Sequence, residues 1–264
     1  MATAITGDIG WTGLFTSLVL VAVAVGISLW RQLGLERSVV WSAARAMAQL
    51  LVVGALLGVL FDAHHSLGWS WLWVLVMVVF AAETVRRRAR EVPDMFVLAL
   101  AAFAASAVVS LGVLFGLGVF PLQARALIPL AGMMVGNAMT ATVLVGRRVF
   151  EELRDKRAEV EARLALGLAW RDASRPYVRS ALRTALIPQI ESTKAVGIVF
   201  LPGTMTGLIL AGADPVKAVL VQAAVMYLVL GSVATTTTVV ALGVTRRLFT
   251  RDHRLVPITR RADA

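Results

Sequence analysis

Long, nearly uncharged apolar stretches constrain this chain more than any other feature. They run at roughly 11–30, 39–61, 68–84, 95–118, 124–145, 189–211 and 216–244. Each approaches the roughly 20 residues that cross a hydrocarbon core at about 1.5 Å per residue. The expected fold is therefore all-α: a polytopic integral membrane protein of about seven transmembrane helices. The 189–211 stretch stands apart, because it contains Glu191, Lys194 and Pro202. Composition agrees: 58% of residues are hydrophobic and 16% charged, where soluble domains carry about a quarter.

The charges that do occur are mostly basic, giving a net charge of +10. In a soluble protein that would suggest nucleic acid. Here the bases flank the apolar runs, so they read as topology signals and nucleic acid is set aside. Twenty-two of the 26 bases fall on one side, in the loops holding Arg31 to Arg37, Arg86 to Arg90 and Arg147 to Arg183, and in the tail from Arg246. Arg125 and Lys217 fall on the other side, while Arg45 and Lys194 lie inside spans. Lysine and arginine are retained in the cytoplasm. With seven spans the N-terminus lies outside and the C-terminus inside the cell (plasma, inner) membrane. Met1 to Gly10 lacks the basic start of a cleaved leader, so the first run is expected to stay as a helix.

One extramembrane piece is substantial, residues 146–184. Val149, Leu153, Val160 and Leu164 recur at helical spacing, and Glu152–Lys156 and Glu159–Arg163 are favourable i,i+4 pairs. A single helix is expected from about 124 to 166, closing at Gly167. A second helix is expected from about Pro176 to Ile187, with Arg175, Arg179 and Arg183 as a basic stripe facing anionic lipid or solvent. The turn from Leu166 to Ser174 carries Leu166, Leu168 and Trp170 at the tip of a cytoplasmic helical hairpin. Apolar groups at such a tip imply a partner.

Several chemistries are excluded. There is no cysteine, hence no disulfide or thiolate site. No lysine follows a glycine as a phosphate-binding loop requires, and no H-E-x-x-H motif occurs. The chain is expected to be no enzyme and to hold no cofactor of its own. Asp62, His64 and His65 form a small loop cluster able to touch a cation, or an ordinary polar hairpin. His253 lies in the tail. The metal ligands, if any, stay unassigned.

Two intramembrane segments carry polar groups. Met133, Asn137 and Thr140 share a face of the fifth span, where an amide in hydrocarbon needs a partner; an inter-helix hydrogen bond and a pathway role are both open. In the sixth, Glu191 and Lys194 are three apart and can neutralise each other, and the lysine can snorkel. Pro202-Gly203 is expected to break or kink the helix. Gly203 and Gly207 form a small-residue pair. With Met205 and Thr206 the segment points to a conduit or subunit interface, against a plain packing kink. The Thr235–Thr238 run can bond back to its own helix and needs no function.

These segments resemble the iron-export ABC-transporter permeases of the FetB type, whose plant relatives are linked to aluminium tolerance. The likeness is carried by Gly132-Met-Met-Val-Gly-Asn-Ala-Met139, Leu164-Ala-Leu-Gly167, Ala185-Leu-Ile-Pro188, the run from Val196 to Pro215, and Gln222. The resemblance implies one ABC permease domain over residues 1–264, a homodimer, and a separate ABC ATPase subunit holding ATP and magnesium. The 164–174 turn would be the coupling helix, through Glu161, Leu164, Leu166, Gly167, Trp170 and Arg171. Glu161-Ala162 and Gly167 echo the importer pattern, but Arg163 departs from it. Asn137, Met139, Glu191, Lys194, Pro202, Gly203, Met205, Thr206, Gly207 and Gln222 would line the pathway or the dimer interface. Thr204 replaces a family methionine. The cargo would be a metal ion, iron first, or a small solute. The rival readings are an ion-coupled secondary carrier using Glu191 and Lys194, and a non-transporting membrane scaffold.

Overall fold

A computed structural model describes residues 11–60, 67–250, 252 and 254–256. The segment Met1–Gly10, the Asp62/His64/His65 cluster, His253, Arg251, Arg260 and Arg261 lie outside the described residues. The rest is helical: α1 (Trp11–Trp30), α2 (Glu36–Leu60), α3 (Leu67–Arg88), α4 (Met95–Ser106), a π-helical turn (Ala107–Leu111), α5 (Gly112–Gly116), α6 (Ala124–Asp155), α7 (Arg157–Ala165), α8 (Trp170–Ala195), α9 (Gly203–Leu210) and α10 (Pro215–Leu248). Among the described residues the only β-type pairings are isolated bridges.

Among the described residues, five helical stretches are long and apolar enough to cross a bilayer: Glu36–Leu56, Leu67–Arg88, Met95–Gly116, Ala124–Asp155 and Pro215–Leu248. Phe15–Trp30 is a shorter apolar helix. The protein is an all-α, multi-pass membrane protein. The break expected within 189–211 is present, but it begins ahead of Pro202-Gly203. α8 ends at Ala195 and α9 begins at Gly203. The break precedes Pro202, where Gly197 takes φ +90°, a left-handed conformation that glycine adopts without a Cβ penalty. Its N–H donates to the Phe200 carbonyl. Pro202 then sits just ahead of α9, where a missing N–H costs nothing.

The chain forms two compact units. One comprises residues up to 66 together with Gly207–Asp214. In it α1 and α2 pair, and Ser28 Oγ donates to Glu36 Oε1 at 2.7 Å across their turn. No residue in the apolar window of α2 is buried.

The second unit comprises Leu67–Thr206 and Pro215–Ala264. Here α6 and α10 pack on each other and both on α4 and α8, and α3 packs on α4 and α6. Phe103, Leu127, Met134, Val145, Val233 and Val240 are fully buried at the centre. Close approach is set by glycine: a Cβ on Gly243 would stand 2.5 Å from Leu98 Cδ2. As expected, Thr235, Thr236 and Thr237 donate to their own helix, at Gly231, Ser232 and Val233.

The hairpin differs from its sequence reading in three details. The 124–166 helix is interrupted at Lys156, which leaves helical geometry at φ −100°, ψ 23°. The connecting turn is shorter than 166–174, because Trp170 already opens α8. The basic helix expected from Pro176 is the middle of that long α8. Gly167, at φ +87°, closes α7: its N–H donates to Leu164 O and the Leu168 N–H to Arg163 O, which satisfies two orphan carbonyls.

Candidate pathway cavity and coupling hairpin

Where α8 breaks, its end faces α6 and α10 across a cavity of about 210 Å³. α6 contributes Met133 and Asn137; α8 contributes Gln189, Ser192 and Thr193. The break supplies Val196, Phe200 and Pro202, with Thr204 at the start of α9. α10 closes the wall with Gln222, Val225, Met226 and Val229. The lining is neutral throughout: amides, hydroxyls, thioethers and apolar groups. Among the described residues no cluster of three or more His, Cys, Asp or Glu exists that could hold a metal ion.

Two amides organise the cavity. Gln222 is buried, and its Oε1 accepts the Met205 N–H at 3.3 Å. Helix N-termini leave such donors orphaned, so α10 caps α9 through a side chain. Asn137 Nδ2 donates to Met133 O, one turn back in α6, at 2.8 Å. That own-helix bond stands in place of the inter-helix bond considered from sequence. Thr193 and Thr206 also donate backwards, to Gln189 O and Pro202 O.

The other sequence candidates fall elsewhere. Met139 packs against the apolar core. Glu191 and Lys194 form the anticipated i,i+3 pair at 2.9 Å, but both side chains are exposed and neither lines the cavity. Met205 and Thr206 are half-buried at the start of α9, and Gly203 and Gly207 have open space about their Cα atoms. Gln189, Ser192, Thr193 and Met226 were missed by sequence reasoning. The i, i+3, i+4 spacing of the first three was the available signal.

At the far end of the unit, the hairpin is held at several points. Tyr177 Oη donates to Glu159 Oε2 at 3.0 Å, linking α8 to α7. Lys156 Nζ donates to the same carboxylate at 2.8 Å. These two bonds, the Lys156 one foremost, hold the Glu159 carboxyl below its ordinary value. Burial, then the Glu159 bond, pushes the Tyr177 phenol up. Glu161 pairs with Arg157 at 2.7 Å. Leu164 is half-buried against the core.

At the tip, Leu166 is 83% exposed and Leu168 40%. Trp170 is half-buried: it stacks on Phe249, just beyond α10, with centroids 5.7 Å apart. The Arg171 guanidinium lies over the Trp170 ring, 5.3 Å from its centroid. Nearby, Arg147 pairs with Glu91 at 2.5 Å and Arg247 with Asp94, tying the α3–α4 loop to α6 and α10.

The model of the family described as "Uncharacterised protein family (UPF0014)" matches residues 11–249. The UPF0014 membrane protein STAR2 of Oryza sativa subsp. japonica is 42% identical over 80% of this chain and 74% of its own. The probable iron export permease protein FetB of Escherichia coli is 36% identical over 92% of this chain and 93% of its own. The protein ALUMINUM SENSITIVE 3 of Arabidopsis thaliana is 38% identical over 82% and 79%. No solved structure gives a significant match. With a family model covering nearly its whole length, this chain belongs to the UPF0014 family of membrane proteins.

Proposed function

We propose that the chain is the membrane subunit of an ABC exporter, worked by a separate ATPase that docks on the α7–α8 tip. The observation that carries this reading is the tip itself. A glycine-closed turn presents Leu166 and, in part, Leu168, while Trp170 behind them is stacked on Phe249 just beyond α10. A push on the tip therefore has a packed route to α10, and α10 holds the start of α9 through Gln222. ATP and magnesium would sit on the ATPase. Residues 1–264 act as one permease domain, with 146–184 as the coupling hairpin.

The basic loops support a cytoplasmic tip and tail and an outside N-terminus in the cell's inner (plasma) membrane. A homodimer is supported by the α8–α9 break. Non-helical backbone at membrane depth needs protein or a water-filled cavity beside it, yet Ile198 is 94% exposed there. A second subunit would cover it.

The relative named as a probable iron export permease supports iron or another metal ion as cargo. The neutral lining of the cavity suits passage better than storage, because amides, hydroxyls and thioethers bind divalent ions less firmly than carboxylates or imidazoles. A carrier driven through Glu191 and Lys194 is disfavoured, since that pair lies off the cavity. The test is co-purification of the ATPase with the Leu166→Asp/Leu168→Asp variant. Loss of the ATPase from an intact, monodisperse permease is expected; an unchanged complex would refute the docking site.

A further inference from the structure

Between α8 and α10 lies a second groove, of about 760 Å³, separate from the cavity at the α8 break. Arg171, Arg175 and Arg179 approach it from α8 and Arg246 from α10. Its floor is apolar, with Val178, Leu182 and Leu242. No carboxylate lines it, and among the described residues none of these four arginines forms an ion pair. Among the described residues, then, no carboxylate pairs with these charges.

Depth decides what fills it. α10 carries no charge between Lys217 and Arg246, so Arg246 marks where the helix leaves hydrocarbon. Leu242, one turn earlier, is 59% exposed and lies on the hydrocarbon side of that boundary. The groove thus has an apolar upper end beside acyl chains and a guanidinium-lined lower end at headgroup level. Guanidinium forks match phosphate oxygens. A soluble anion would leave the apolar end unused, and a protein finger would have to enter the headgroup layer.

We infer that this groove is a binding site for the phosphate of one anionic phospholipid of the cytoplasmic leaflet, its acyl chain lying along Leu182 and Leu242. The site does not depend on the exporter reading; it needs only the membrane depth set by α10. It would hold lipid between the coupling helix and α10, beside the Trp170–Phe249 stack.

The test is native mass spectrometry of the full chain released from bilayers of mixed phosphatidylglycerol and phosphatidylcholine. Wild type should retain phosphatidylglycerol selectively. Each interfacial arginine contributes about fivefold to anionic-lipid partition, so Arg175→Gln/Arg179→Gln should lower the retained ratio by roughly ten- to thirtyfold. Arg183→Gln, on the same helix but outside the groove, should keep it. Inorganic phosphate should not displace the lipid. Absence of phosphatidylglycerol preference in wild type overturns the proposal whatever the variants do. So does an Arg175→Gln/Arg179→Gln ratio equal to wild type, or displacement by inorganic phosphate. Lost ATPase binding in that variant without any lipid selectivity in wild type would assign the groove to the protein partner instead.

Discussion

The side-chain oxygen of Gln222 accepts the backbone N–H of Met205 at 3.3 Å, so that α10 holds the first turn of α9. A short helix after a broken one has little else to fix its start. Gln222→Ala should release it at a cost of about 1 kcal/mol, which is about fivefold in the opening equilibrium. Hydrogen exchange at the amides of Thr204–Thr206 should quicken by that factor, while the α6 core stays protected. Transport should fall with the fold intact.

Trp170 and Phe249 form the packed link between hairpin and α10. Trp170→Ala should remove about 0.5–1.5 kcal/mol of stacking beyond its area burial. The expected result is a lower melting temperature, and fewer cargo ions moved per ATP hydrolysed. An unchanged ratio of transport to hydrolysis would remove the stack from the coupling route.

Acid should loosen the hairpin. The Glu159 carboxyl is held below its ordinary value by Lys156 and Tyr177. Its contribution is complete above the ordinary carboxylate value of 4.5 and is lost as pH falls through the lower folded value. Protease cleavage at 156–170 should therefore rise only in strongly acid solution. Tyr177→Phe, which removes one of the two bonds, should move that rise toward neutral pH.

Gly243 leaves room for the Leu98 side chain where α10 crosses α4. Gly243→Val would drive a side chain into Leu98, an overpacking that costs about 1–3 kcal/mol. Thermal unfolding in detergent should register it. Gly203→Ala, in open space, should cost far less at its own Cβ.

Much of this was legible in the sequence, for identifiable reasons. Apolar length alone located α1 to α4, α6 and α10, because the bilayer demands about 20 residues per crossing. Gly167 ended α7 where glycine in the left-handed region was needed. The break in 189–211 was legible from Pro202, but Gly197 turns the chain first and Pro202 suits the start of α9. Trp170 was read as an exposed tip residue because its partner, Phe249, lies far away in sequence. The cavity's polar wall was half found: Asn137 and Gln222 stood out as lone amides in apolar runs. Gln189, Ser192 and Thr193 did not, since α8 was divided into a surface helix and a span. Met139 packs against the core and does not line the cavity, whereas Met133 does both.

The absence of cysteine permits one decisive measurement. Leu166→Cys would be the chain's single thiol, at the proposed docking tip. In sealed vesicles of known orientation, a membrane-impermeant maleimide should label it only from the cytoplasmic side, and bound ATPase should protect it in a nucleotide-dependent way. Labelling from the outer side, or labelling indifferent to the ATPase, would contradict the account.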